Sequence, residues 1–285
     1  MPFFANLRPD FAFLDEKTLM RPTSQITQAL PHYPIIELID HGFEIPQLGK
    51  NRRIWALLPH NYYDSNQDYP VLYLQDAQNL FDDGAPFGSW SIDKHLMDLS
   101  ASGTGELIVI AIDHGGKERI QEYSPYHHRK FGEGQGKDYA NFIIETLKPY
   151  VDSHYRTKSH RIYTGIGGSS MGALISAYIG IVHPTHFSNL MIFSPSFWYS
   201  DEIYFDAFKY NYTLPMRMFI YAGEKETRFM SQHINQFKDA VTHGFFSSKL
   251  TTFNIVIDPN GQHQEKYWGD IFPAAVKWLF FSDHD

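Results

Sequence analysis

Short apolar runs recur along this chain, and most of them are too short to be helices. Their apolar residues are consecutive rather than alternating, which is typical of strands buried on both faces of a sheet. The runs that predict strands are Val71–Leu74, Leu107–Ile112, Ile162–Thr164, Leu190–Phe193, Met216–Tyr221 and Phe253–Ile257.

Segments with helical periodicity separate several of these runs. The clearest is Tyr139–Val151, where apolar side chains recur every three or four residues and Pro149 lies near the end, the place where a proline is tolerated. Strands that alternate with helices predict an α/β fold, with a mostly parallel central sheet covered by helices on both faces. The other predicted helices are Ile92–Leu99, Gly172–Val182, Gln232–Val241 and Ile271–Phe280.

The first part of the chain has a different pattern. Ile35–Ile45 and Arg53–Pro59 predict an N-terminal antiparallel strand pair, with Leu48–Asn51 as the turn between them. Residues 1–34 have little periodicity and three prolines by position 22, which predicts an irregular N-terminal arm. Since no break in composition divides the remainder, we expect residues 35–285 to form a single domain.

Charge and cysteine content exclude several functional classes. The formal net charge is -8 and no cluster of Lys and Arg forms a stripe, so neither nucleic acid nor an anionic membrane is the expected partner. The chain has no cysteine, which excludes a disulfide framework, metal–thiolate sites and a thiol nucleophile. No signal peptide and no membrane-spanning apolar run is visible, so the expectation is a soluble, cytoplasmic protein, unless a leader has been removed.

The five residues Gly168 to Gly172 carry the clearest chemical signal. They read G-x-S-x-G with Ser170 at the centre, between a strand-like run and a small-residue helical run. A tight strand-to-helix turn exposes a serine oxygen, and its flanking glycines let the neighbouring backbones pass closely. The helix N-terminus adds N–H groups that can face a developing oxyanion. Ser170 is therefore the candidate nucleophile.

Polar residues follow each central strand, where the ligands of parallel sheets bind. Glu224 and Glu226 follow the fifth run and His263 follows the sixth. Serine, acid and histidine in this chain order match the catalytic triad of the α/β-hydrolase fold, which is the fold we expect. Glu226 is favoured over Glu224 as the acid, and Asp258 is a third candidate that is better placed to cap a turn.

The remaining site assignments rest on position. The oxyanion hole needs two backbone N–H groups, and Met171 supplies the first, since it follows the nucleophile. The loop after the first central strand supplies the second from Gln78 or Ala77, with Gln78 preferred. The expected substrate contacts are Arg119, His114, Trp198 and Phe197. No cofactor is expected and no metal site, because His127-His128 has no second pair of ligands at a recognisable spacing.

Taken together, these motifs resemble the Putative esterase family of α/β hydrolases, which includes esterase D, feruloyl esterases and ferric-enterobactin esterases. The resemblance extends from about Phe43 to Leu279. It implies an acyl-ester hydrolase with the triad Ser170, Glu226 and His263, and Gln78 N–H aligns with the family's oxyanion donor. The stretches that carry it include Val71–Phe81, Arg119–Pro125, Gly168–Gly172, Phe193–Trp198, Tyr221–Glu226 and Gly261–His263 with Trp268.

The expected function is a serine ester hydrolase that acts on a small-molecule ester, of siderophore, aryl or carbohydrate type. Two alternatives use the same residues. One is an acyltransferase, in which an alcohol other than water receives the acyl group. The other is a binding protein with the hydrolase fold and no activity. The oligomeric state is left open by the sequence.

Overall fold

The computed structural model describes residues 30–81, 85, 88–209, 214–244 and 250–282. Within these residues eight strands form one sheet in the order β1-β2-β4-β3-β5-β6-β7-β8. The strands are β1 (Ile35–Ile45), β2 (Lys50–Leu58), β3 (Val71–Gln75), β4 (Ile108–Ile112), β5 (Thr164–Ser169), β6 (Asn189–Phe193), β7 (Met216–Gly223) and β8 (Thr251–Asp258).

The direction of the strands follows the predicted plan. The six strands β3 to β8 all run in the same direction, and each pairs in parallel with its neighbours in this set. Strands β1 and β2 form an antiparallel pair, and β2 continues antiparallel onto β4. The predicted α/β fold with an N-terminal antiparallel pair is confirmed. The carboxyl ends of the six parallel strands therefore point to one edge of the sheet.

Helices lie between most of the parallel strands. None of the helices formed by the described residues is long and apolar enough to cross a membrane. The α-helices are α1 (Ile92–Ala101), α2 (Arg119–Glu122), α3 (Gly136–Asn141), α4 (Lys148–His154), α5 (Met171–Val182), α6 (Glu202–Lys209), α7 (Met230–His243) and α8 (Glu265–Val276). Short 3₁₀ turns are Tyr62–Asp64, Ala77–Asn79, Gly116–Glu118, Arg161–Tyr163 and Phe197–Tyr199, and π-helical segments are Phe142–Leu147 and Lys277–Phe281.

Alternate residues of the central strands face two different cores. In β4, Ile108, Ile110 and Ile112 belong to one apolar cluster, together with residues of α5 and α7. Val109 and Ala111 belong to a second cluster, with residues of α1 and α8. All five are fully buried. Both faces of β4 are thus covered by helices, which explains why this strand is a continuous apolar run.

One strand begins later than its sequence predicts. The run Ile162–Thr164 predicts a strand, but Arg161–Tyr163 is a 3₁₀ turn and β5 runs from Thr164 to Ser169. This strand is rich in glycine because β6 lies close to it. A Cβ added at Gly167 would lie 2.6 Å from Cβ of Met191. Apolar periodicity cannot detect such a strand, since glycine contributes no side chain to the pattern.

Two helices differ most from their predicted bounds. The predicted helix Tyr139–Val151 lies within a continuous helical stretch in which α3, a π-helical segment and α4 follow one another from Gly136 to His154. Pro149 lies in the first turn of α4, directly after the π-helical segment, so the proline follows a stretch in which the regular α-helical hydrogen-bond pattern is already interrupted. The last helix, α8, begins at Glu265 rather than at Ile271. Its first six residues, 265–270, escaped prediction because three charged side chains and Gly269 interrupt the apolar periodicity there.

The predicted arm lies mostly outside the described residues. Of the arm's last residues, Tyr33 donates a 2.5 Å hydrogen bond to Asp93 Oδ2, and His32 Nδ1 lies 2.9 Å from Ser100 Oγ. The division into an arm over 1–34 and one domain over 35–285 stays a prediction.

Candidate active site

Ser170 occupies a sharp turn between β5, which ends at Ser169, and α5, which begins at Met171. Its φ of 57° and ψ of -119° lie outside the regions that side-chain-bearing residues prefer. Gly172 permits this turn, since a Cβ there would lie 2.9 Å from Oδ2 of Asp76. The G-x-S-x-G pattern thus presents the serine between the sheet and the N-terminus of α5, next to the loop after β3.

Glu226 and His263 meet at the ends of β7 and β8. His263 Nδ1 lies 2.8 Å from Glu226 Oε2. The Glu226 side chain is fully buried, whereas 43% of the His263 side chain is exposed. The other oxygen, Oε1, accepts hydrogen bonds from Gly223 N–H and Ser194 O–H, each at 2.6 Å. Burial of a carboxylate requires such partners, so this loop holds Glu226 in one position.

The two other candidate acids have different surroundings. The Glu224 side chain is exposed, and its backbone N–H donates to Asp258 O. Asp258 accepts hydrogen bonds from Tyr221 O–H at 3.1 Å and from Asn260 N–H at 2.8 Å. Asp258 therefore caps the turn after β8, as expected for an aspartate in this position. Of the three carboxylates, Glu226 is the one in contact with the His263 ring.

The hydroxyl of Ser170 does not hydrogen bond to His263 in this structure. Its Oγ lies 3.2 Å from Oγ of Ser196 instead, and Ser196 N–H donates to Ser170 O at 3.1 Å. Ser196 is itself buried, in the loop after β6. Ser170, Glu226 and His263 lie at the same edge of the sheet. Of these three, Glu226 and His263 are joined by a hydrogen bond.

Backbone N–H groups are available beside the serine turn. Among the described residues, the N–H groups of Met171 and Gln78 have no hydrogen-bond acceptor, and neither has that of Ala77. Gln78 lies in the 3₁₀ turn after Asp76, whose φ is 63°. Its side-chain amide pairs in both directions with the backbone of His114, at 3.0 and 3.2 Å. This pairing ties the loop after β3 to the loop after β4.

The profile of the Putative esterase family matches residues 45–279. The chain belongs to this family. As a member, the protein is an esterase. It is also similar to the uncharacterized protein YbbA of Bacillus subtilis, at 24% identity over 248 residues that cover 81% of this chain and 93% of YbbA.

Solved structures of low sequence identity share the fold of this esterase. One is an IroE-like serine hydrolase from Shewanella oneidensis, with a TM-score of 0.69 and 20% identity, covering 87% of this chain and 80% of that one. Another is the enterobactin esterase FES from Shigella flexneri, with a TM-score of 0.65 and 16% identity, covering 88% of this chain and 59% of that one.

Two residues expected to contact the substrate hold loops of the esterase. Arg119 binds Asp76 through two hydrogen bonds of 2.6 and 2.8 Å, and its guanidinium lies 5.2 Å from the Tyr123 ring centroid. Burial alone lowers the pKa of Arg119, but the Asp76 carboxylate outweighs it and raises that pKa above its usual value. The ring of His114 is half-buried, which lowers its pKa, and its Nδ1 accepts a hydrogen bond from Gly116 N–H at 2.9 Å.

The aromatic pair after β6 divides between the core and the surface. Phe197 is fully buried and its ring stacks on Phe237 at 4.4 Å. The expectation that Phe197 contacts substrate is therefore corrected, because its ring is part of the core. Trp198 is 54% exposed and lies two residues after Ser196. It is the member of this pair with surface available to a ligand.

Three further residues lie at the site although the sequence assigned no role to them. Ser194 and Trp268 lie next to Glu226 and His263, although their motifs were visible. Glu265 is only 9% exposed, and burial raises the pKa of its carboxyl. The signal for Ser194 was its place directly after a buried strand. Nothing in the sequence indicated its partners, since they depend on how three loops meet.

Proposed function

We propose that this esterase hydrolyses a carboxylic ester through an acyl-enzyme on Ser170, with His263 as general base and Glu226 as the acid of the triad. The observation that supports it best is the 2.8 Å contact between His263 Nδ1 and the buried Glu226 carboxylate. A carboxylate accepts only, so Nδ1 carries the proton and Nε2 is left free to take one. The strained turn at Ser170 supplies the nucleophile.

The reaction has two stages. In the first, Ser170 Oγ attacks the carbonyl carbon while His263 Nε2 takes the hydroxyl proton. The oxyanion is held by the N–H groups of Met171 and Gln78. The C–O bond to the alcohol then breaks, and His263 gives its proton to the leaving oxygen. In the second stage a water molecule loses a proton to His263 Nε2 and attacks the acyl carbon. The bond between that carbon and Ser170 Oγ then breaks, His263 returns the proton to Oγ, and the acid is released.

The resting contact between Ser170 and Ser196 must break before attack. The proposal requires a rotation about the Cα–Cβ bond of Ser170 that takes its hydroxyl from Ser196 and brings it within hydrogen-bond reach of His263. Catalytic hydrogen bonds are often unformed in free enzymes and tighten in the complex with substrate. A neutral hydroxyl–hydroxyl bond costs about 1 kcal/mol to break, which is small beside the barrier of the reaction.

The proposed substrate is an ester of siderophore, aryl or carbohydrate type. The structural likeness to an enterobactin esterase supports the siderophore and aryl members of this set. The exposed indole of Trp198 supports an aromatic or other flat group, because such surfaces stack on indole rings. The cytoplasmic location of the protein stays a prediction.

The test is hydrolysis of p-nitrophenyl esters from acetate to octanoate, together with an aryl ester such as a methyl hydroxycinnamate. Wild type and Ser170→Ala are compared in parallel, with unfolding midpoints to show that both are folded. We expect Ser170→Ala to lose at least about 10³-fold in kcat/KM. Equal rates in the two proteins would contradict the proposal.

A fluorophosphonate probe separates the remaining alternatives. It labels a serine only when a nearby base activates it, so the proposal expects labelling of wild type at Ser170. A folded protein that neither hydrolyses any ester nor reacts with the probe would be a binding protein. Added alcohols that divert the acyl group from water would identify an acyltransferase.

A further inference from the structure

Ser194 lies at the carboxyl end of β6 and makes no hydrogen bond to Ser170. Its side chain is completely buried and its φ is 46°, in the left-handed region. Its N–H donates to Tyr221 O at 2.7 Å, which anchors this backbone to β7. Its hydroxyl donates to Glu226 Oε1 at 2.6 Å. A strained and buried serine is thus aimed at the acid proposed for the triad.

Trp268, on α8, completes this arrangement. Its indole Nε1–H donates to Ser194 Oγ at 2.8 Å. Its ring also packs edge-on against the His263 ring, with centroids 4.9 Å apart and planes at 87°. Trp268 is only 4% exposed. One buried side chain therefore touches His263 directly and reaches Glu226 through Ser194.

The direction of these hydrogen bonds is fixed by chemistry. An indole N–H can only donate, and a carboxylate can only accept. Since Trp268 donates to the Ser194 oxygen, the proton of Ser194 points at Glu226. With Gly223 N–H on the same oxygen, Oε1 is held by two donors and Oε2 is left for His263.

We propose that Ser194 and Trp268 are positioning residues that hold Glu226 and His263 in the geometry needed for proton transfer. This inference rests on the proposed triad. Without the Ser194 hydroxyl, Oε1 keeps one donor, and the carboxylate is free to rotate away from Nδ1. Without the Trp268 N–H, the Ser194 hydroxyl is free to turn away from Glu226. Ser194 is fully buried and Trp268 is only 4% exposed, so we expect substrate binding to be little changed.

The test compares kcat and KM on a p-nitrophenyl ester for Ser194→Ala, Trp268→Phe and the double variant. Ser194→Ala is expected to lower kcat about 10- to 100-fold, the effect of losing a hydrogen bond to a charged group, with KM within about twofold. Trp268→Phe keeps an aromatic ring beside His263 and is expected to cost less. The double variant should be no slower than Ser194→Ala, since the indole N–H acts through Ser194.

Ser188→Ala is the matched control, because Ser188 is also buried and flanks the other end of β6. Its Oγ donates to Arg161 O at 2.8 Å, far from the triad. We expect this variant to lose stability without losing kcat. If Ser194→Ala is folded and its kcat equals that of Ser188→Ala, the inference is wrong. Losses that multiply in the double variant would also overturn it.

Two results keep this inference separate from the proposed function. Ser170→Ala is measured alongside, and activity that survives in it would defeat the triad itself. Loss of activity in Ser170→Ala with full kcat in Ser194→Ala would defeat only the positioning role. If Ser194→Ala fails to fold, Trp268→Phe is the test: a lower kcat with KM unchanged supports the positioning role, and an unchanged kcat overturns it.

Discussion

Arg119 and Asp76 form a bidentate, partly buried ion pair beside the nucleophile turn, with hydrogen bonds of 2.6 and 2.8 Å. Asp76 directly precedes the loop that carries the Gln78 N–H, and its carboxylate would clash with any Cβ at residue 172. A bidentate pair of this kind fixes both partners in orientation. Arg119 therefore holds the proposed oxyanion loop in place.

Arg119→Gln is expected to lower kcat about 10-fold or more with neutral and anionic esters alike, because the loop loses its anchor and Asp76 is left buried and unpaired. The measurement is kcat and KM on both kinds of ester. Arg53→Gln is the control, since Arg53 on β2 also binds an aspartate, Asp113, at 2.8 Å, but 46% of its side chain is exposed and both of its contacts reach one oxygen. A rise in KM confined to anionic esters would instead make Arg119 a substrate ligand.

Glu226→Gln is expected to reduce kcat about 10³-fold or more, whereas Glu224→Gln should stay within about twofold. Glutamine can donate to Nδ1 and so favours the wrong tautomer of His263. Glu224 is exposed and lacks contact with the histidine. The measurement is the steady-state kcat of each variant, and the two substitutions are matched because they lie two positions apart in one loop. The reverse order would reassign the acid.

Ser196→Ala is expected to react with a fluorophosphonate about threefold faster than wild type. In the wild-type enzyme the hydroxyl oxygen of Ser196 lies 3.2 Å from Ser170 Oγ, and that contact has to break before the proton moves to His263. The second-order labelling rate measures this effect without a substrate-specific step. A tenfold slower reaction would show that Ser196 stabilises the transition state instead.

Glu265→Gln is expected to raise the unfolding midpoint at pH 7 to 8. Burial raises the pKa of Glu265 in the folded protein. Its protonated form is therefore favoured by folding, and the stability it contributes is present below the unfolded pKa of about 4.5 and is lost as the pH rises through the folded value. The gain from the variant should shrink as the pH falls below 4.5. Glu224→Gln, at an exposed carboxylate, should show no such trend.

The fold could be predicted from the sequence where apolar side chains mark the strands. The six parallel strands and the antiparallel pair follow from runs such as Val71–Leu74, which the structure extends by one residue. The exception is β5, whose glycines permit close contact with β6 and leave no apolar signal. A helix end was missed where charged residues and a glycine interrupt the apolar periodicity, as over residues 265–270 in α8.

The parts of the site that could be predicted are the residues that come shortly after a strand. Ser170, Glu226 and His263 lie at strand ends in the expected order, and contact between the last two is seen. Arg119 and Phe197 show the limit of such reasoning. A charged or aromatic residue near a site can serve a ligand, a loop or the core, and only its partners in space distinguish these roles.

The central claim is that catalysis proceeds through an acyl group on Ser170. Mixing the enzyme with excess p-nitrophenyl butyrate, quenching in acid within milliseconds and mapping peptides by mass spectrometry tests it most directly. We expect a butyryl group on the peptide that contains Ser170, formed with a burst of nitrophenol, and absent in Ser170→Ala. Full turnover with no acyl group on that peptide, or with the acyl group on another residue, would contradict the account.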